Sequence, residues 1–293
     1  MKKLLLFFTL AFVAMSCGDP YAHYQSNKIW YTSADGKIVV PKCDEYGHSW
    51  AKRSRYGASI VSNKYDAEKE CWVITFDRDV TTIGPSAFEN CSSLTSVSIP
   101  DSVIEIGESA FADCSSLISV TIPDSVTKIG ETAFLSCSSL TTITIPDSVT
   151  EIGANAFTGC SSLTSVTIPD SVTTIGDYAF AYCSSLTSVT IPNSVTSIES
   201  SAFYQCSSLR TVTIPDNVTK IGRYAFFNSG LRSVYCKATT PPQLESYVFF
   251  YKNGPGAYNK IGCDIYVPAM SVDAYKNASG WSEYAIDFVG YNF

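Results

Sequence analysis

The sequence predicts a solenoid, a chain wound into stacked coils, and three columns of recurring residues predict it. Phenylalanine stands at Phe88, Phe111, Phe134, Phe157, Phe180, Phe203 and Phe226, each 23 residues after the last. Proline keeps the same step at Pro100, Pro123, Pro146, Pro169, Pro192 and Pro215, and cysteine at Cys91, Cys114, Cys137, Cys160, Cys183 and Cys206. Self-similarity at one fixed period marks units that cannot bury a core alone and must stack.

Each element of the unit follows from its residues. Val97 and Ile99 alternate with Ser96 and Ser98, the period-2 pattern of a strand with one buried face. Pro100-Asp101-Ser102 breaks that strand, because proline fixes φ and aspartate favours a turn. Val103 and Ile106 point back inside, Gly107 sits at the next bend, and Ala110-Phe111 occupies a short helical or irregular return. Cys114 closes the coil and Leu117 restarts it. Leu-x-x-Val-x-Ile inside a period of about 20–29 residues is the pattern of a leucine-rich-repeat solenoid. The expected fold is thus a right-handed coil of 23-residue repeats, with one parallel β-sheet and about eight coils. Strand centres fall at Ile74, Val97, Val120, Ile143, Val166, Val189, Val212 and Val234, stacked ~4.8 Å apart. Asp77 replaces the proline of the first coil, and the last spacing is 22, as atypical terminal coils would have.

The flanks read as caps. Residues 18–70 predict a β-rich N-terminal cap with two hairpin patterns: Ile29–Thr32 against Lys37–Val40 around Asp35-Gly36, and Ala58–Ser62 against the first solenoid strand. Residues 71–236 form the solenoid and 237–293 a mixed α/β C-terminal cap. In that cap Asp264–Val267 reads as a strand and Val272–Asn277 as a short helix with Ser271 at its N-cap. Tyr284, Phe288, Tyr291 and Phe293 would pack on the last coil.

Residues 1–17 read as an export signal: Lys2 and Lys3, an apolar run from Leu4 to Val13, then Ala14 and Ser16 before Cys17. The run is too short to span a bilayer. A cysteine placed so resembles the lipobox of bacterial lipoproteins, which implies lipidation at Cys17; an ordinary cleavage nearby would instead release a soluble chain. Asp19 is compatible with surface export. Without the signal, 18 basic residues face 27 acidic ones. That balance disfavours nucleic acid and anionic membrane surfaces, so contact with the membrane is expected only through the lipid. Lys52, Arg53 and Arg55 read as a solvated loop.

The units Ile-Pro-Asp-Ser-Val-Thr-x-Ile-Gly-x-x-Ala-Phe-x-x-Cys-Ser-Ser-Leu resemble the BspA-like leucine-rich-repeat family of surface lipoproteins from gut and oral anaerobes. Ile29-Trp30-Tyr31-Thr32 with Asp35-Gly36, and Ile265-Tyr266-Val267-Pro268 with Gly280-Trp281-Ser282, resemble its flanks. The resemblance implies a chain lipid-anchored to the outer membrane at the cell surface, adhering to host matrix proteins, host cells or other bacteria, with no catalytic residues. Glycan capture, scaffolding in a nutrient-uptake system and a structural surface-layer role are the alternatives, and a monomer is expected. Glu199, where other repeats carry glycine, suggests that this bend tolerates a side chain. Asp-Ser-Val at Asp101, Asp124, Asp147 and Asp170 resembles an O-glycosylation acceptor of the same bacteria, which would place sugar on Ser102, Ser125, Ser148 and Ser171; the turn chemistry explains the motif equally.

Chemistry is sparse. The cysteine column stacks Cα atoms ~4.8 Å apart, within the ~4.4–6.8 Å reach of a disulfide. Its side chains all point into the core, so a reduced, buried ladder is expected. The column lacks the histidine or C-x-x-C of a metal site, and no cofactor is implied. Cys43 and His48 lack a third orienting group, and Asp101 and Glu105 sit on coil turns rather than across a cleft, so no enzyme is expected. Two surfaces remain. Outward strand positions Ser96/Ser98, Ser119/Thr121, Thr142/Thr144, Ser165/Thr167, Ser188/Thr190 and Thr211/Thr213 make a flat, uncharged hydroxyl face. Beside the Ala-Phe return, Tyr178, Tyr182, Tyr204, Tyr224 and Phe227 form an aromatic stripe, either a contact site or packing for the cap.

Overall fold

The structure, a computed structural model, describes residues 26–41, 56–254 and 257–293. The export signal with Cys17, the Cys43/His48 pair and the basic loop at Lys52, Arg53 and Arg55 lie outside the described residues.

The repeats wind into a solenoid with parallel ladders on two sides. The front strands form three ladder segments, Leu94–Ser98 with Ser119–Thr121, Ser165–Thr167 with Ser188–Thr190, and Thr211–Ile214 with Ser233–Cys236, and single bridges at Thr144 and Thr142 join the first two. Their register is one coil per step, Val97 opposite Val120 and Val212 opposite Val234. A back ladder, not anticipated from the sequence, is built from dipeptides ending in Ile or Leu. Thr82–Ile83, Glu105–Ile106, Lys128–Ile129 and Glu151–Ile152 form one four-stranded segment. Thr174–Ile175, Ser197–Ile198, Lys220–Ile221 and Gln243–Leu244 form a second.

The return between them is hydrogen-bonded too, without being a strand. Ser109, Phe111 and Asp113 donate their N–H groups to the carbonyls of Glu131, Ala133 and Leu135 one coil on. Ser109 and Asp113 hold φ at 52° and 58° to aim those groups, and the pattern repeats in neighbouring coils. Inside, the phenylalanine rings lie face to face from Phe88 to Phe226 at 5.2–5.6 Å, within 8° of parallel. Phe249 adds one more ring at 5.6 Å, so the column runs a coil beyond the residues read as solenoid.

The first strand departs from expectation. Cys71–Phe76 does not stack on Leu94–Ser98; the N-terminal strand Lys28–Ser33 lies between them, antiparallel to both. Ile60–Asp66 pairs with the outer edge of Cys71–Phe76, as the second hairpin pattern required. Lys37–Val40 is not a strand, because both edges of Lys28–Ser33 are already taken. Gly36 still turns the chain at φ 64°, and Val39 is held by its N–H and C=O on the Tyr31 hydroxyl.

At the other end Asp264–Pro268 and Phe288–Tyr291 continue the front ladder in parallel. The helix Val272–Asn277 packs between them in sequence; Ser271 stands at its N-cap but makes no side-chain capping bond, since a 3₁₀ turn over Ala269–Ser271 leads into it. Tyr284 is buried and Phe288 half-buried. Tyr291 and Phe293 meet the last coil from outside, exposed and with their rings against Tyr235 on the outer face of its strand.

Candidate functional site

The cysteine column is structural. Cys114, Cys137, Cys160, Cys183 and Cys206 are free, buried thiols, and each Sγ–H donates to the carbonyl of the phenylalanine 26 residues earlier, at 3.0–3.3 Å. A thiol thus satisfies a buried carbonyl while packing as a small apolar group, which neither alanine nor leucine does. Loss of hydration is the largest cause that raises these thiols; it pushes Cys137 and Cys183 up to about 12. The unfolded thiol ionises near ~8.5. The folded value is the higher one, so the stability these groups contribute is complete below ~8.5 and falls as pH rises toward about 12. Iodoacetamide at neutral pH is therefore expected to label Cys137 and Cys183 only after urea unfolding, read by peptide mass spectrometry; labelling of the native chain would contradict the buried ladder.

The Asp-Ser-Val serines also hold coils together. Ser102, Ser125, Ser148 and Ser171 donate their hydroxyls to the carbonyls of Val80, Val103, Val126 and Val149 at 2.5–2.6 Å. Ser194, in an Asn-Ser-Val sequence, does the same to Val172. Sugar on Oγ would remove that hydrogen and leave a carbonyl of the preceding coil without its donor, so these hydrogen bonds account for the motif without a modification.

Glu199 sits on the back side. Burial raises its carboxyl, but hydrogen bonds from Lys220 and Ser197, with the Lys220 charge, outweigh that and leave it below the usual carboxylate range. Lys220 bridges Glu199 at 2.8 Å and Glu245 at 3.7 Å. Lys128 and Glu151 repeat the ion pair in the other back segment at 3.4 Å. Asp101 is exposed on a turn, and Glu105 is exposed on the back strand Glu105–Ile106. Among the described residues no three His, Cys, Asp or Glu side chains converge as metal ligands.

The hydroxyl face is present with one correction. Thr121, Thr142, Thr144, Ser165, Thr167, Ser188, Thr190, Thr211 and Thr213 are exposed, and Ser98 and Ser119 half-buried. Ser96 is buried, because the inserted N-terminal strand brings Thr32 Oγ1 to 2.6 Å from its hydroxyl. The same face ends in aromatics that alternation alone placed there: Tyr235 follows Thr213 in register and Tyr266 follows Tyr235.

The return edge carries the more distinctive chemistry. Tyr178 and Tyr182 are 41% and 45% exposed, Tyr204 and Tyr224 half-buried. Phe227 is buried and belongs to the support beneath them, packed by Tyr204 at 5.4 Å and Tyr258 at 6.0 Å. Tyr247 and Tyr258 join the cluster: Tyr224 stacks on Tyr247 at 5.5 Å, and Tyr247 meets Tyr258 at 5.1 Å. The 23-residue step from Tyr224 to Tyr247 was the signal for that addition. Arg223 lies over the Tyr224 ring at 4.6 Å and donates to its hydroxyl at 3.0 Å. Tyr178, Tyr224 and Tyr247 occupy one left-handed position of the repeat and Tyr182 a second, φ 54–61°; other coils place Ser, Thr or Asn at the first and Asn, Asp, Ser, Gly or Gln at the second. Bulky residues avoid that region at a cost of about 1–3 kcal/mol each.

No helix among the described residues is long and apolar enough to cross a membrane. A leucine rich cell surface protein from Faecalibacterium prausnitzii A2-165 is similar at 38% identity and a TM-score of 0.53, over 66% of this chain and 60% of that one. The chain thus spans less than two thirds of that structure's length. A leucine rich repeat protein of T. pallidum is similar at 34% identity and a TM-score of 0.48, over 52% of this chain and 71% of that one. One from Bacteroides ovatus ATCC 8483 is similar at 24% identity and 0.43, over 66% and 74%. No curated protein matches. Six repeat copies match the BspA type leucine rich repeat region over residues 58–186 and 129–254, which takes in the coils and the stacked columns described above, and the chain belongs to that family.

Proposed function

We propose that this chain is a non-catalytic binding module of the bacterial cell surface, tethered by lipid on Cys17, which grips protein partners through the tyrosine edge of its C-terminal coils. The observation that carries this reading is the backbone cost at Tyr178, Tyr182, Tyr224 and Tyr247. Two positions that most other coils fill with Ser, Thr, Asn, Asp or Gly carry these four tyrosines, and strain of this kind is kept where a side chain is needed. Tyrosines of this sort are favoured interface anchors, with an apolar body and a polar tip.

Ring geometry favours protein over glycan. Sugars stack on an open aromatic face, whereas Tyr204 lies face to face with Phe227 and Tyr224 with Tyr247, at 9° and 13° between planes. One face of each of these rings is thus taken, and Tyr182 meets Tyr204 edge-on at 65° between planes, so the cluster does not present a row of open parallel faces. The similar F. prausnitzii protein is described as a cell surface protein, which supports the proposed location.

The test is binding of the chain to parallel arrays of host matrix proteins and purified glycans, repeated with the double variant Y178A/Y182A. Saturable binding to a matrix protein that weakens by at least about tenfold in the variant is expected, since truncating an aromatic anchor costs about 2 kcal/mol or more. Binding to glycans alone, or protein binding that the variant leaves unchanged, would overturn the assignment.

A further inference from the structure

The two ends of the sheet are finished differently. At the N-terminal end the outermost strand, Ile60–Asp66, carries Lys64 and Asp66 and a register irregularity between Ile60 and Ser62. Charges and bulges are the devices that stop an edge from pairing with another chain. At the C-terminal end Phe288–Tyr291 is the last strand, paired among the described residues on one side only, with Asp264–Pro268. Its sequence, Phe-Val-Gly-Tyr, has no charge, no proline and no bulge.

Exposed apolar side chains gather at that same end. Ile286, two residues before the strand, is 89% exposed and Met270 88%. Val289, Tyr291 and Phe293 are exposed as well. Tyr235, Tyr266, Tyr291 and Phe293 form one aromatic group on the outer face beside the open edge, with centroids 4.6–6.4 Å apart.

We propose that Phe288–Tyr291 is the interface of a two-fold symmetric dimer, in which it pairs antiparallel with the same strand of a second copy. Self-complementarity selects this occupant. Centred on Gly290, the pairing sets Gly290 opposite the second copy's Gly290 and Val289 opposite its Tyr291, so that outward side chains meet outward ones. Asp287 falls opposite Phe293, so no like charges meet although the chain is acidic overall. Tyr291 and Phe293 of the two copies extend one aromatic row across the axis. Head-to-tail pairing would set this edge against Ile60–Asp66, whose charges and bulge oppose it, and would build open filaments rather than a closed pair. The expected monomer gives way to two solenoids end to end, with both tyrosine edges free; the proposal does not depend on the binding role given to those edges.

Sedimentation velocity of the full chain in a non-ionic detergent, across a concentration series, tests it. The wild-type chain is expected to move from monomer to a species of twice the mass, and V289K to remain monomeric with an unchanged far-UV circular dichroism spectrum. Y291K, at a side chain already 44% exposed, gives a second disruption that spares the core. Monomer at every concentration, a ladder of species beyond the dimer, or a dimer indifferent to both variants would each overturn the proposal. Array binding through Y178A/Y182A reads the other surface, so failure of one result leaves the other standing.

Discussion

Replacing Phe157 by alanine is expected to lower stability by about 3–5 kcal/mol, the range for a buried phenylalanine whose neighbours cannot close the gap. Phe157 is fully buried and lies between Phe134 and Phe180, each at 5.3 Å with planes within 5°. Its N–H bonds Ala179 one coil on, and its carbonyl takes both the Cys160 N–H and the Cys183 thiol. Those bonds pin the backbone around the ring to the following coil, the Phe134 N–H bond to the Ala156 carbonyl ties it to the preceding one, and collapse onto the missing ring would break them. Because a solenoid's stability is a sum of coil and neighbour terms, the loss falls on two interfaces at once. Urea unfolding followed by far-UV circular dichroism measures it. A loss under about 1 kcal/mol would mean that the ladders, and not the ring column, hold the coils.

The ring column was legible because a period of 23 repeats the same side chain at the same depth, and depth is what burial reads. The back ladder was not, because each coil contributes only two residues to it, such as Lys128–Ile129, too few to display alternation. The hydroxyl face was legible strand by strand, yet the burial of Ser96 was hidden. It depends on Thr32, 64 residues away, entering the sheet between two strands that the repeat pattern placed side by side. The same limit applies at the tyrosine edge. Repeat position identified Tyr178 and Tyr182, but Phe227 is covered by Tyr204 and by Tyr258 from a hairpin outside the repeat. Phe249 and Tyr247 keep the 23-residue step, but Thr239-Thr240-Pro241-Pro242 before them reads as the end of the coils.

The bend glycines separate two effects that a repeat alignment would merge. A Cβ on Gly153 would lie 2.5 Å from the Glu131 nitrogen and 2.6 Å from the Gly130 carbonyl carbon, backbone atoms of the preceding coil. Neither can rotate away, so Gly153→Ala must push two coils apart and weaken the 2.9 Å bond from Gly153 N–H to Ile129. Overpacking of this kind costs about 1–3 kcal/mol and here belongs at the upper end. At Gly176 the nearest atom would be 3.2 Å away, and this coil lies where the back ladder divides into its two segments. There the reduced freedom of the unfolded chain, about 0.4–1 kcal/mol in alanine's favour, offsets the smaller strain. Gly176→Ala is therefore expected to leave the urea midpoint nearly unchanged while Gly153→Ala lowers it clearly. Glu199 is nature's version of the permissive case: it stands one coil on from Gly176, and its carboxylate is held by Lys220 and Ser197. Equal losses at the two glycines would show that intercoil spacing does not decide which bends accept a side chain.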